Sequence, residues 1–144
     1  STNIGLNVSS NQTDSDLELS IEVFSEEELT SPNLKLTVIL VEKIVTGIGP
    51  GYDQRNYGNS DPGHPYYGQG NYIQGFEHTN VIRHVLSSYE GDDIDLSAMT
   101  STWTGNIALT ELAKSPSAYR VIAFVSESSD IVMPIINAVA FDIQ

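Results

Sequence analysis

The chain has 144 residues, of which 40% are hydrophobic, and its 19 acidic residues outnumber 6 basic residues to give a net charge of −13. This length suits a single domain, residues 1–144, with a substantial hydrophobic core. The negative charge argues against nucleic acid and anionic membrane as partners, and the lack of cysteine excludes disulfides and thiol chemistry.

No apolar run approaches the roughly 20 residues of a membrane-spanning helix, so we expect no direct membrane insertion by this domain. The chain starts at Ser1-Thr2-Asn3 without a signal-peptide pattern, as a mature or trimmed domain would.

The first third of the chain contains three predicted strands. Residues 4–8 and 17–23 alternate apolar and polar side chains, which predicts two strands with one wet face each. Residues 34–45, LKLTVILVEKIV, form the longest apolar run and become apolar on both faces. This run predicts a central strand, with Val38 nearly fully buried.

Residues 47–75, here called the Tyr-rich segment, hold 8 of the 11 glycines and 5 of the 7 tyrosines. This glycine density rules out a long regular element, whereas the tyrosines are too many for a typical solvated linker. We therefore expect a long ordered loop. Because recognition loops are rich in Tyr, Gly and Asn, its tyrosines are candidate binding residues: Tyr52, Tyr57, Tyr66, Tyr67 and Tyr72. The alternative is a loop packed on itself.

The second half of the chain predicts further short strands. They lie at residues 78–86 (a strand or an irregular edge), 102–109, 119–125 and 135–143. Gly105-Asn106 indicates a bend or bulge in the second of these. In the last strand, Ile135, Val139, Phe141 and Ile143 are expected to share one face.

Seven or eight short strands without a convincing amphipathic helix predict an all-β fold. The favoured architecture is an antiparallel immunoglobulin-like β-sandwich with one long Tyr/Gly-rich loop. A closed barrel is the alternative.

An acidic turn at residues 90–95 contains the clearest candidate for a cation site. Asp92, Asp93 and Asp95 offer carboxylate oxygens within four residues, and calcium takes six to eight oxygens. The spacing is not that of an EF-hand. A solvated acidic turn is favoured, so we expect no cofactor, with weakly bound calcium as the alternative.

Evidence for catalytic chemistry is absent from the sequence patterns. His78 and His84, near Glu77, are too few for a zinc site, so hydrogen-bonding roles are favoured. No Gly-x-Ser-x-Gly elbow is present. We expect no enzymatic activity, although a glycoside hydrolase with paired carboxylates far apart in sequence stays an alternative.

Several short motifs resemble one known family. A strand ending in Val41-Glu42 is followed by the His-x-x-Val-x-Arg pattern of His78, Val81 and Arg83, and residues 121–125 (VIAFV) precede Ala138-Val139-Ala140. These motifs, spread over residues 34–143, resemble the outer-membrane protein 28-type surface lipoproteins of Gram-negative bacteria.

The resemblance implies a location and a role. In that family a β-sandwich commonly follows a thioredoxin-like domain behind a lipoprotein signal, so this chain would be a C-terminal domain or a reduced relative. The implied location is the outer membrane or cell surface of a Gram-negative bacterium. The implied role is surface binding or adhesion. We therefore expect a non-enzymatic binding or accessory domain for a protein or a glycan at that surface, with a protein-binding or adhesive role favoured and a carbohydrate-binding module as the alternative. The resemblance supplies no catalytic residues.

One further expectation concerns the outer face of the sheet. Ile39, Val41, Ile122 and Phe124 lie opposite the core-facing residues of their strands and would form an apolar patch there. Such patches are seldom bare on soluble monomers. We expect part of the Tyr-rich segment, around Tyr66, Tyr67 and Tyr72, to cover it.

Overall fold

The structure, a computed structural model, describes residues 3–30, 33–128 and 133–144. The strands are β1 (Ile4–Gln12), β2 (Asp16–Ser25), β3 (Leu34–Val45), β4 (Gln54–Arg55), β5 (Tyr72–Ile73), β6 (His78–Val85), β7 (Asp92–Asp93), β8 (Thr100–Ala108), β9 (Tyr119–Glu127) and β10 (Ile135–Asp142). Two 3-10 turns, Leu109–Glu111 and Pro116–Ala118, are the helical elements of these residues. Seven of the ten strands are long, and the predicted central strand has the bounds expected for it.

The long strands form two antiparallel sheets. One has the order β1-β2-β8, and the other has the order β10-β9-β3-β6, with β7 paired to β3. In immunoglobulin nomenclature these orders correspond to A-B-E and G-F-C, with β6 in the place of C′. The predicted immunoglobulin-like β-sandwich is therefore confirmed.

The chain separates into two compact units, one made of Ser1–Val41 and Ile82–Gln144 and the other of Glu42–Val81. The first unit contains the hydrophobic core. Alternate residues of three strands supply most of it: Leu17, Leu19, Ile21 and Val23 from β2, Leu34, Leu36, Val38 and Leu40 from β3, and Tyr119, Val121, Ala123 and Val125 from β9. All of these side chains are at most 3% exposed, because successive side chains of a strand point to opposite faces.

Tyr119 fixes the chain at the start of β9. Its ring is 1% exposed, and its hydroxyl accepts a hydrogen bond from the backbone N–H of Lys114 at 3.3 Å. This arrangement is a tyrosine corner, a feature of immunoglobulin-like sandwiches at the connection into strand F. It ties the 3-10 turn Pro116–Ala118 to the core.

The bulge predicted at Gly105-Asn106 is wrong, because β8 pairs with β2 in continuous register through Leu19↔Gly105 and Glu18↔Asn106. Glycine serves a packing purpose here. A Cβ on Gly105 would lie 2.3 Å from the ring of Trp103, so the indole occupies the space that a side chain would need. Residues i and i+2 share a face of a strand, which allows this contact without any break in the ladder.

The register shift of the structure lies elsewhere, between Ile135 and Asn137 in the pairing of β10 with β9. A shift of one residue exchanges the two faces of a strand. Ile135 is consequently 59% exposed, whereas Ile136, Val139 and Phe141 pack against the core. The expectation that Ile135 shares a face with Val139 and Phe141 is therefore wrong.

Val38→Asp is expected to unfold the sandwich. Val38 is 0% exposed, and an unpaired charge at such a position costs about 3–5 kcal/mol or more, a large part of the stability of a small domain. Thermal unfolding followed by circular dichroism should show a midpoint lowered by more than about 10 °C. Thr100→Asp, which adds the same charge at an exposed position of β8, is the control. An unchanged midpoint for Val38→Asp contradicts the core assignment.

Candidate functional site

The acidic turn is held by hydrogen bonds within the sandwich unit. Asp92 accepts the backbone N–H of Ser88 at 3.0 Å through Oδ1 and the indole N–H of Trp103 at 2.7 Å through Oδ2. The Ser88 N–H, followed by the Trp103 N–H, holds the pKa of the Asp92 carboxyl below its ordinary value, because both bonds favour the charged form. Asp92 therefore anchors the only tryptophan of the chain.

The other two candidate ligands also have protein partners. The Asp93 carboxylate forms an ion pair with Lys35 at 2.5 Å, and Oδ1 of Asp95 accepts the backbone N–H of Ser97 at 2.9 Å. That N–H lowers the pKa of the Asp95 carboxyl. Over residues 3–30, 33–128 and 133–144, no group of three or more His, Asp or Glu side chains is placed to hold a metal ion. Each of the three carboxylates therefore has a structural contact in the turn, and weak calcium binding stays an untested alternative.

His78 lies in the second unit and makes a backbone contact there. Its Nε2 is 2.7 Å from the carbonyl oxygen of Tyr52, and its ring meets that of Phe76 edge-on at 5.0 Å between centroids. Since a carbonyl only accepts, Nε2 is the donor. This contact joins the first turn of the Tyr-rich segment to β6.

The Tyr-rich segment is an ordered loop built on a short hairpin, in which the strands β4 and β5 have two residues each. Gln54 pairs with Ile73 and Arg55 with Tyr72. Asn56, 7% exposed, follows β4 and organises the rest. Its Nδ2 donates to the carbonyls of Tyr66 (2.8 Å) and Gly70 (2.9 Å), and its Oδ1 accepts the N–H of Gly58 (3.0 Å). A buried amide satisfied in this way specifies one loop conformation.

Further contacts of the same unit close the loop. Oδ1 of Asn59 accepts the N–H of Gly70 at 2.9 Å, and Oδ1 of Asp61 accepts the N–H of Gly63 at 3.0 Å. A Cβ on Gly58 would lie 2.0 Å from the ring of His64, so the imidazole packs directly on the glycine backbone. The glycines thus allow rings to lie close to the main chain.

The five candidate tyrosines differ in exposure. Tyr57 is 82% exposed, Tyr72 58%, Tyr67 53% and Tyr52 42%, whereas Tyr66 is half-buried. A Cβ on Gly47 would lie 2.4 Å from the Tyr52 ring, so Tyr52 packs within the loop. Tyr57, Tyr67 and Tyr72 are the rings most available to a partner.

A depression of about 320 Å³ lies at the hairpin, lined by Arg55, Asn56, Tyr57, Asn71 and Tyr72. The guanidinium carbon of Arg55 stands 5.2 Å from the centroid of the Tyr57 ring, within the range of a cation–π contact. Pairing of Arg55 with Tyr72 across the hairpin brings the second tyrosine to the same place. The structure thus unites two of the predicted binding tyrosines and adds Arg55 and Asn71, which the sequence did not single out.

A second depression, of about 470 Å³, lies on the β1-β2-β8 sheet. Its lining is Ser9, Ser10, Asn11, Glu18, Leu19, Ser20, Thr104, Gly105 and Asn106. Glu18 accepts a hydrogen bond from Asn11 at 2.9 Å. Glu18 is the one carboxylate of this lining, and the first depression contains none, so neither offers the carboxylate pair that a glycoside hydrolase needs.

The expected cover of the outer sheet face stays a prediction. Val41 is buried, and Ile39, Ile122 and Phe124 are half-buried. Tyr67 and Tyr72, two of the three rings expected to cover the patch, leave more than half of their surface exposed.

Asp92→Asn is expected to change the acid stability of the domain. Because the folded state holds the pKa of Asp92 low, its stabilisation is present above about pH 4 and is lost as the pH falls through the lower folded value. The Asn variant should therefore be less stable by about 1–2 kcal/mol at pH 7, and the difference should shrink towards pH 2.5. Urea unfolding across this range, with Asp14→Asn in an exposed turn as control, measures it. A difference that is constant with pH contradicts the assigned role.

Asn56→Ala is expected to loosen the Tyr-rich segment. The variant loses three hydrogen bonds, together worth about 2–4 kcal/mol of local stability. Amide hydrogen exchange followed by NMR should show protection of the Gly58 N–H reduced by more than tenfold. Asn59→Ala is the matched control, because it should expose the Gly70 N–H and leave Gly58 protected. Unchanged protection of Gly58 in Asn56→Ala contradicts the proposed organisation.

Two solved structures from Porphyromonas gingivalis share this fold. A domain of the outer membrane lipoprotein Omp28 is 16% identical with a TM-score of 0.56, and the match covers 97% of this chain and 87% of that one. HBP35 is 20% identical with a TM-score of 0.62. That match covers 98% of this chain but 40% of HBP35, so the chain spans less than half of that protein.

No curated protein matches the chain. In the part of the chain that the structure describes, no helix has the length and apolar character needed to cross a membrane.

The family model described as outer membrane protein Omp28 matches residues 1–141. The match begins at the first residue, so it extends the resemblance, which rested on residues 34–143, to the first two strands. The names found for the family and for the two solved structures include no enzyme. The chain therefore belongs to the Omp28 family of outer membrane proteins, and its place is the outer membrane or cell surface of a Gram-negative bacterium.

Proposed function

We propose that this chain is an adhesive binding domain of the cell surface and that the Tyr-rich segment contacts a protein partner. The observation that carries the proposal is the exposure of Tyr57, Tyr67 and Tyr72 on a loop that Asn56 holds in one conformation. Tyrosine supplies a large contact area with a polar tip at low entropic cost. A preorganised loop also loses less freedom on binding than a disordered one.

The distribution of charge supports this choice of surface. The unit Glu42–Val81 contains four acidic and two basic residues, for a net charge of −2, whereas the rest of the chain accounts for −11 of the total of −13. Binding surfaces are depleted in charged residues at their centre and enriched in Tyr and Arg. The Tyr-rich segment matches that composition better than the strongly acidic sandwich unit.

A glycan is the second candidate partner, and the depression at the hairpin favours it. Two exposed rings stand beside amide and guanidinium groups there, which combines apolar faces with hydrogen-bonding groups. A hydrolytic function gains no support from either depression, since neither contains two carboxylates.

The double variant Tyr57→Ser/Tyr72→Ser is expected to lose adhesion without loss of fold. Truncation of two exposed aromatic rings at a binding centre should weaken binding at least tenfold. Biolayer interferometry against a panel of purified extracellular-matrix proteins and mammalian glycoproteins measures it.

Tyr89→Ser is the matched control, because Tyr89 is 91% exposed and lies outside the Tyr-rich segment. Binding that is equal in the wild type and the double variant, or that falls equally in the control, contradicts the proposal. A thermal midpoint measured for all three proteins verifies that they are folded.

A further inference from the structure

We infer that the depression at the hairpin is a site for the carboxylate of an acidic sugar, with Arg55 as the group that recognises the charge. This inference rests on the proposed function, since it assumes that the Tyr-rich segment is the binding surface. It develops the second candidate partner, the glycan, and adds its chemical class.

The first step concerns the charge of Arg55. Among the described residues of Glu42–Val81, no carboxylate forms an ion pair with Arg55, in contrast to Lys35 and Arg120, which pair with Asp93 and Asp142 in the sandwich unit. The depression that Arg55 lines contains no acidic side chain. Arg55 is one of only 6 basic residues against 19 acidic ones, and its side chain is exposed, so its guanidinium can pair with an external anion.

The guanidinium group of Arg55 lies next to an aromatic ring. Its carbon stands 5.2 Å from the centroid of the Tyr57 ring, a cation–π contact that restricts the side chain while its N–H groups remain donors. A guanidinium edge matches a carboxylate with two parallel hydrogen bonds. The backbone of Arg55 is held in the β4–β5 hairpin, and the neighbouring Asn56 is buried with its amide satisfied. Arg55 is therefore presented on an ordered base.

The residues that line the depression favour a sugar over a peptide as the ligand. The lining consists of Arg, Asn and Tyr side chains and contains no aliphatic residue, so it offers no pocket for an apolar peptide side chain. It offers instead two exposed rings, Tyr57 and Tyr72, for the apolar face of a sugar ring and the exposed Asn71 for hydroxyl groups. The volume of about 320 Å³ lies at the small end of ligand sites. In addition, the net charge of −13 opposes a polyacidic peptide more strongly than a sugar with one carboxylate.

The test uses two probes that differ at a single carbon, methyl β-D-glucuronide and methyl β-D-glucoside, together with the methyl glycoside of N-acetylneuraminic acid. Titration of ¹⁵N-labelled protein followed by NMR reports on the Arg55 Nε–H and the Asn71 amide. We expect at least one acidic sugar to shift both signals and to bind at least tenfold more tightly than the glucoside, because charge-assisted bidentate hydrogen bonds are the strong ones.

Three variants test whether the sugars bind at the depression. Arg55→Gln should abolish the preference for the acidic sugars, and Tyr72→Ser, which leaves the Arg55–Tyr57 contact in place, should weaken binding of all sugars alike. Lys43→Gln removes the same charge from the same unit without touching the depression, so it should bind as the wild type does.

Three results overturn the inference: equal binding of the glucuronide, the neuraminide and the glucoside, no shift with any sugar, or tighter binding of the acidic peptide acetyl-Asp-Glu-Asp-Glu than of the acidic sugars. Its failure is distinguishable from failure of the proposed function. If no sugar binds but the Tyr57→Ser/Tyr72→Ser variant loses adhesion to a protein, the proposed function stands and the acidic-sugar site does not.

Discussion

The rest of the structure depends on one hydrophobic core, which is formed by alternate side chains of three strands. Strands β2, β3 and β9 each contribute four side chains at most 3% exposed to one core. Each such side chain contributes about 1.5–3 kcal/mol on burial, and no disulfide is present to share that role. The tyrosine corner at Tyr119 and the Asp92–Trp103 hydrogen bond add polar contacts to the sandwich. The long Tyr-rich segment is inserted into this sandwich.

The Tyr-rich segment is a long insertion between two strands of the sandwich. The Tyr-rich segment joins β3 to β6, which correspond to strands C and C′ of an immunoglobulin-like sandwich. Loops between scaffold strands carry function in many proteins because they vary without disturbing the core. Here the connection contains a hairpin and a buried asparagine of its own, so it is itself an ordered compact unit.

The charged residues of the acidic turn and of the Tyr-rich segment make different kinds of contact. The carboxylates of the acidic turn bind the indole of Trp103, the ammonium of Lys35 and backbone N–H groups, which makes that turn part of the sandwich. Arg55 is used in the opposite way, because it lies against Tyr57 and lines an open depression. The acidic turn therefore stabilises the fold, whereas the Arg55 side chain lies exposed on the Tyr-rich segment.

Local patterns in the sequence determined the all-β class, the strands and the ordered character of the Tyr-rich segment. Alternation is a property of neighbouring residues, so the bounds of β3 and the buried face of β2 could be predicted directly. Composition also named Tyr57 and Tyr72 as candidate binding residues, and that role stays a prediction. The exposure of Ile135 could not be predicted, because a register shift against β9 depends on the partner strand. The same holds for Asn56 and Arg55, whose partners lie 10 to 17 residues away in the chain. Only the pairing of β4 with β5 brings these groups together, since hydrogen bonding between distant segments leaves no periodic signal in either one.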